Sequence, residues 1–385
     1  MSMLLLLTAL SFAFAAKPGG KLAVTYKGLQ YANQVAGTEL KRKLRTVSIP
    51  GQSGSEGPAT WSVHAIQITG MYGPNTNIWL NPGAGGVTLR VDNFGLSVHA
   101  DWSGSYQFIF RFSAGGSVDM SVSGVSVTLV AGLGEKNGRP SVYAKSCRCN
   151  IGDVDLRFYG GLGALILNIM KGTLRDRIKN TLQDNICDIV NKQVNTKIDE
   201  ELGKMKVNVE IAKRFILDYS LIRAPTVTND YIEVATKGTV YWKDNRQESP
   251  YTPAELPALS EFSNMLYLDV TEYSANTFAY VAHVNGFLEY NITVDNLPAE
   301  ASYLLDPTGK LNDHYPNSKL ELRVSSASAP IVKFENQSVT IAAVGNVEVV
   351  VNTQDEVVTP LSLKVSVSVT ADPSVVNGYL TGNIT

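Results

Sequence analysis

The spacing of apolar residues changes character several times along this chain. From Lys27 to Thr46 (KGLQYANQVAGTELKRKLRT), Leu29, Ala32, Ala36, Leu40 and Leu44 recur at intervals of three and four, with Tyr31 and Val35 beside them. That spacing predicts an amphipathic helix ending in the cluster KRKLR and stopped by Pro50 and Gly51. From Trp61 to Phe158 the period is two: Val87, Leu89, Val91, then Leu96, Val98, Ala100, then Tyr106, Phe108, Phe110, Phe112, then Val118, Met120, Val122. Turn signals stand at NPGAGG (81–86), WSGS (102–105), SAGG (113–116) and EKNGRP (135–140). The expectation is an antiparallel meander of long strands, strongly twisted or closing on itself.

A second helical segment follows. After Gly160, Gly161 and Gly163, apolar residues stand at Leu162, Ile166, Met170, Leu174, Ile178, Leu182, Ile186, Val190, Val194, Ile198 and Leu202, a strict spacing of four. At about 100° per residue, each step of four advances the stripe by about 40°. A helix on a flat core would mix threes and fours. This stripe creeps around the helix, so its neighbours must change along roughly 60 Å of length. A helix wrapping a curved, twisted sheet meets that demand. A coiled coil would show a period of 3.5 with charge pairing at its flanks, and Gly172 and Gly203 also oppose it.

Beyond Lys204 alternation returns in VNVEIAKRFILDYSLI and YIEVATKGTVYW. The Pro-bearing stretch ESPYTPAELPALSEF (248–262) reads as a linker. Strands are then expected in MLYLDV, FAYVAHVNGFLEYNITV, KLELRVSSA, SVTIAAV, VEVVV and LSLKVSVSVT.

The first residues, MSMLLLLTALSFAFAA, form an apolar run shorter than the about 20 residues a membrane-spanning helix needs, followed by small residues. They predict a secretory signal over 1–16 and an exported, extracellular protein without a transmembrane segment. The roughly 370 residues that remain exceed one ordinary core and imply two domains. Net charge is −2, which excludes a generally nucleic-acid-binding surface, but residues 17–45 carry +6 against −8 elsewhere. Sequons at Asn291, Asn336 and Asn383 suit an exported chain as glycosylation sites.

Three cysteines, Cys147, Cys149 and Cys187, imply one disulfide and one thiol in an oxidising compartment. A ring through Cys147 and Cys149 would strain the bond, so the bridge is expected from one of them to Cys187, tying helix to sheet. The four histidines are scattered, with no HExxH, GxSxG, GxGxxG or phosphate-loop spacing. Asp153 and Asp155 lie on one side of a strand, where two carboxylates read as a solvated face. The expectation is a non-enzyme with no metal and no cofactor. What the pattern leaves is apolar surface: a groove of that kind gains roughly 0.8 kcal/mol for each methylene it buries. The Lys41–Arg45 end of the first helix can offer cations to phosphate.

These segments resemble a known family. KGLQYANQVAGTELKRKLRTVSIP is similar to the N-terminal helix of the bactericidal/permeability-increasing and lipopolysaccharide-binding proteins, whose family also includes the plasma phospholipid and cholesteryl-ester transfer proteins. KSCRCNIGDVDLRFYGG with the helix to Cys187 resembles the family's disulfide region. LIRAPTVTNDYIEVATKGTVYW resembles its inter-domain crossing, and SEFSNMLYLDVTEYSANTFAYVAHVNGFLEYNIT the start of its second half. The resemblance implies an α+β, elongated two-domain boomerang. Each domain would be a highly twisted antiparallel barrel with a long amphipathic helix, and a central sheet would lie between them. The corresponding divisions are 17–215, a crossing and linker over 216–262, and 263–385. The resemblance also implies that Cys147, rather than Cys149, pairs with Cys187.

A secreted lipid-binding protein of innate immunity follows by the same resemblance. Lipid-pocket candidates are Leu29, Ala32, Val35, Ala36 and Leu40 on the first helix and Leu162, Ile166, Ile169 and Met170 on the second. Lys41, Arg42, Lys43 and Arg45 are head-group candidates. Expected partners are phospholipid, lipopolysaccharide or lipid A, and a bacterial outer membrane or lipoprotein surface. Two departures stand out. The segment DWSGSYQFIFRFSAGG, where endotoxin-binding members carry a basic loop, has only Arg111, and PGQSGSEGPATW has no cation. The family's last strands and second long helix find no counterpart, so the second domain is expected to be incomplete. The alternative is a phospholipid or sterol-ester carrier without an antibacterial role.

Overall fold

A computed structural model gives the architecture; it describes residues 16–44, 51–107, 109–161, 163–164, 168, 171–297, 303, 305–335, 337–376 and 379–384. The chain enters through strand β1 (Gly20–Thr25) and helix α1 (Tyr26–Leu44). A seven-stranded antiparallel sheet follows: β2 (Gln52–Glu56), β3 (Ala59–Tyr72), β4 (Asn75–Asn81), β5 (Gly86–Gln107), β6 (Arg111–Lys136), β7 (Arg139–Asn150) and β8 (Asp153–Tyr159). Its spine is the ribbon of β5 and β6, in register from Gly86↔Gly132 to Gln107↔Arg111. The sheet bends where that register slips around Phe94, beside Asn93 at φ 51°. An extra residue there sharpens the local twist and curls the sheet.

Two of the four expected turns are strand instead. WSGS and SAGG lie inside β5 and β6, where Trp102 faces Gly116, Ser103 faces Gly115 and Gly104 faces Ala114. These glycines serve close approach: a Cβ on Gly116 would fall 1.8 Å from the Tyr159 carbonyl oxygen. The chain reverses between Gln107 and Arg111. EKNGRP is a tight turn, with Asn137 and Gly138 both left-handed at φ 54° and 74°.

The long helix runs as α2 (Lys171–Lys192), a π-helical turn Gln193–Ile198, and α3 (Asp199–Gly203). Its creeping stripe changes neighbours on the way. Ile178, Leu182 and Ile186 pack on a core of Trp102, Val118, Val122, Ile151, Val154 and Leu156. Val190, Val194 and Leu202 pack on a second core of Leu129, Ala131 and Val142. Each π-turn accommodates one extra residue and takes back about 100° of accumulated drift. Leu202 thereby returns to the sheet, while Ile198, inside the turn, is left 49% exposed.

Side chains from outside the sheet, rather than strand pairing, satisfy the edges of three of its strands, β7, β4 and β8. Strand β7 pairs only with β6. Along it, Asn195 Oδ1 accepts from the Ala144 N–H (2.8 Å), Asp199 Oδ1 accepts from the Val142 N–H (2.9 Å), and Gln183 Nε2 donates to the Cys149 carbonyl (3.2 Å). The disulfide Cys147–Cys187 fastens the same contact, with Cα atoms 5.6 Å apart. On β4, Gln30 Nε2 donates to the Ile78 carbonyl (3.0 Å) and Asn33 Nδ2 to that of Thr76 (2.9 Å). Asn168 both donates to and accepts from the Phe158 backbone on β8. Edge groups that would otherwise recruit another strand are satisfied locally.

The remaining chain builds three sheets. β9 (Asn208–Ile211), β10 (Phe215–Asp218) and β13 (Thr239–Trp242) form one. β11 (Thr226–Val227) and β12 (Tyr231–Thr236) join β1 and β14 (Leu266–Val270) in a second. The third holds β15 (Glu289–Thr293), β16 (Lys319–Ser326), β17 (Ile331–Glu335), β18 (Ser338–Asn352), β19 (Val357–Val376) and β20 (Tyr379–Ile384). One expected strand is a helix: FAYVAHV falls in α4 (Tyr273–Val284). Phe278, Val281 and Ala282, spaced three and four apart, pack with Phe215 and Val240. The Asn276 amide exchanges two hydrogen bonds with the Val332 backbone, and Gly286 at φ 66° ends the helix. Packing overrides the β-preference of its aromatic and branched residues.

Candidate functional site

Helix α1 starts without a break from β1. Thr25, almost fully buried, donates to the Asn264 carbonyl (2.6 Å), and its hydroxyl caps the helix by accepting from the Gly28 N–H (3.4 Å). Gly28 is pressed against the Met265 carbonyl oxygen, 2.5 Å from where a Cβ would stand, so no larger residue fits. Lys27 Nζ donates to the Ser263 carbonyl (2.9 Å). The helix is thereby pinned to the segment that leads into β14.

Past that anchor the helix rests on its polar side. Gln30, Asn33 and Gly37 fall within about 60° of one another around the axis and face β4. Gly37 lets the backbone close down: a Cβ there would meet Thr76 Oγ1 at 2.7 Å. The opposite arc carries Tyr31, Ala32, Val35 and Ala36, all exposed, with Tyr31 57% and Val35 50% accessible. Leu29, at the margin of the arc and expected to line a lipid pocket, is instead a core residue only 9% exposed, because it turns toward the packed side of the helix. The ordinary arrangement of an amphipathic helix, apolar side inward, is reversed. A groove of about 600 Å³ of mixed polar and apolar lining follows the β4 side, walled by Lys27, Gln30, Asn33 and Gln34 and reached by Tyr31 and Met265 at its margins.

The other sequence-derived positions divide as follows. Arg42 is exposed near the end of α1. The side chains of Leu40, Lys41 and Lys43 lie outside the described residues, as do Arg45, Leu162, Ile166, Ile169, Met170 and Asn336. Asn291 on β15 and Asn383 on β20 are exposed. Cys149 is a half-buried free thiol, and burial pushes its pKa up. Among the described residues no three histidine, cysteine or acidic side chains are grouped to hold a metal ion. His99 Nδ1 lies 2.6 Å from Asp119 Oδ1 on the exposed side of the sheet, and that hydrogen bond holds the Asp119 carboxyl below its ordinary range. No helix among the described residues is long and apolar enough to cross a membrane.

Sequence periodicity marks the apolar arc of α1 but not its outward direction. The clue lies in the residue types between the apolar positions. Gln30 and Asn33 are side chains that can bond a strand edge, and Gly37 allows the backbone to approach it.

Residues 28–205 match the N-terminal domain of the LBP / BPI / CETP family, and residues 209–385 match its C-terminal domain. Human lipopolysaccharide-binding protein is 30% identical over 393 aligned residues, spanning 98% of this chain and 81% of that protein. The bactericidal permeability-increasing protein of Sebastes schlegelii is 28% identical over 395, spanning 99% and 82%. A crystal structure of lipopolysaccharide binding protein superposes with a TM-score of 0.60 at 24% identity, covering 96% of this chain and 82% of that one. The α+β, two-domain architecture of curled sheets is therefore that of the solved relative, and the chain belongs to the LBP / BPI / CETP family.

Proposed function

We propose that this protein binds lipid, holding the acyl chains of a phosphorylated amphiphile against the apolar arc of α1. One observation carries the reading: the helix packs through Gln30, Asn33 and Gly37 and leaves Tyr31, Ala32, Val35 and Ala36 to water. Such an arc is stabilised only when something apolar covers it, and an acyl chain supplies about 0.8 kcal/mol per methylene buried. The basic run Lys41, Arg42, Lys43 and Arg45 follows the arc directly along the chain. Apolar contact followed by cations suits tail and head of one molecule. Kinship with proteins named for binding lipopolysaccharide and for bactericidal permeability supports lipid A as that amphiphile, met outside the cell by a secreted chain. Leu40, Leu162, Ile166, Ile169 and Met170, which lie outside the described residues, stay pocket candidates on the sequence pattern alone, and no catalytic group is required.

A phospholipid or sterol-ester carrier is the second reading. It is favoured by the β5–β6 reversal, where Arg111 is the only cation between Trp102 and Gly116. Titrating the purified protein with lipopolysaccharide and with phosphatidylcholine, at low and high salt, separates the two. Saturable lipopolysaccharide binding that weakens with salt supports the first, because exposed cation–phosphate contacts are screened. Salt-indifferent uptake of phosphatidylcholine alone supports the second. Saturable binding to neither overturns both.

A further inference from the structure

Helix α1 has a flank between the side that packs on β4 and the apolar arc, with Tyr31 shared by flank and arc. Lys27, Tyr31, Gln34 and Thr38 fall within about 60° of one another there, counted around the axis. With Gln30, Asn33, Asn75 and Met265 they wall the groove of about 600 Å³. That volume lies within the about 300–1,000 Å³ of small-molecule sites. Four of the lining side chains are amides. Gln30 and Asn33 each give an N–H to a β4 carbonyl, which holds both amides in place and leaves their oxygens unused. Gln34 and Asn75 are exposed, and neither side chain bonds to another described residue. The lining residues include no carboxylate, and their one cation, Lys27 Nζ, is engaged by the Ser263 carbonyl. Tyr31 and Met265, 57% and 39% exposed, supply apolar surface at the margins.

We propose that this groove binds a neutral oligosaccharide. It lies beside the arc of α1 rather than on it, so the site does not rest on the proposed lipid binding. The lining selects the ligand by what it can pair. An amide carries an acceptor oxygen and two donor hydrogens, so it matches a hydroxyl group, which both gives and accepts hydrogen bonds. A phosphate or carboxylate would meet a single cation that is already engaged, whereas strong anion sites present free, charged donors. An ammonium group would meet no carboxylate. An acyl chain would strip water from four amides without replacing their hydrogen bonds, a cost that contact with one tyrosine and one methionine does not offset. A sugar ring has hydroxyls at its rim and apolar C–H faces, and the Tyr31 ring sets a flat apolar face beside the amides. A free oligosaccharide and the sugar of a glycolipid both present that chemistry.

The test uses the full chain with maltotriose and chitotriose, each free in solution and each attached to a lipid in phosphatidylcholine vesicles. Saturation-transfer NMR reads the free sugars, and co-sedimentation against plain vesicles reads the lipid-borne ones. Wild-type protein is expected to bind saturably and equally at low and high salt, because no ion pair contributes. The Gln34→Ala, Asn75→Ala double variant is expected to bind at least about tenfold more weakly, from the loss of the hydrogen bonds of two amides. It should melt as the wild type does, since neither side chain bonds within the protein. Binding of the free sugars, weakened in the double variant, supports a free glycan as the ligand. Binding of the lipid-borne sugars alone, weakened in the same way, assigns the groove to the head of a glycolipid. Binding of neither form, binding that high salt abolishes, or binding that the double variant retains overturns the proposal. If lipid extraction finds the arc of α1 empty while the sugar still binds, the groove stands and the lipid reading falls.

Discussion

Val35 sits in the uncovered arc of α1 and is 50% exposed, so replacing it with Asp removes few native contacts. A surface substitution of this kind changes stability by about 0.5 kcal/mol or less. Lipid binding should respond very differently. Full burial of a valine is worth about 1.5–3 kcal/mol, so an acyl chain covering the exposed half gains about 1 kcal/mol from this residue. A carboxylate in its place loses that contact and must also shed water against hydrocarbon, a penalty of several kcal/mol. A total near 3 kcal/mol corresponds to roughly a hundredfold loss of affinity. Leu29→Ala is the control with the opposite signature: at 9% exposure it is core, and its truncation should cost about 2–5 kcal/mol of stability. Titration calorimetry with lipopolysaccharide, beside a thermal melt of each variant, reads both quantities. Val35→Asp protein that melts normally and binds normally would refute the assignment of this arc to lipid.

Three further outcomes test the frame that holds the site. Cys187→Ser removes a bridge closing 40 residues, and the chain-entropy estimate gives about 4 kcal/mol of lost stability, measurable by urea unfolding. Asp199 titrates below its ordinary 3.8 because Lys136 bonds it (2.6 Å) and the Val142 N–H donates to it. Its folded pKa lies below the unfolded one, so its contribution is complete above the unfolded value and is lost as pH falls through the folded value. Asp199→Asn should therefore lower stability at neutral pH and flatten the acid limb below about pH 4, read by tryptophan fluorescence. Phe215 is fully buried among Trp242, Phe278 and Phe287, and Phe215→Ala should cost about 3–5 kcal/mol in the same unfolding assay.

Period was the most informative signal in the sequence. Strict fours from Ile178 to Leu202 announced a helix that changes partners, and the two cores it serves are the physical form of that drift. Alternation likewise announced the ribbon of β5 and β6. Glycine was the ambiguous letter. In WSGS and SAGG it marks close approach of strands within a bent sheet, whereas in EKNGRP it marks a reversal, and composition alone does not separate the two. Residues 273–284 carry strand-forming side chains whose helical state is settled by contacts with Phe215 and Val332, both distant in sequence. The direction in which α1 faces was illegible for a related reason. Amphipathicity identifies two sides of a helix, but only the β4 edge, with carbonyls for Gln30 and Asn33, decides which side turns inward.

The claim that α1 is a lipid site is tested most directly by native mass spectrometry of the intact protein from a eukaryotic secretory host, followed by lipid extraction. The account predicts a population heavier than the polypeptide by the mass of an acyl-chain lipid, lost in Val35→Asp. A bare polypeptide that stays bare after incubation with phospholipid and with lipopolysaccharide would contradict it.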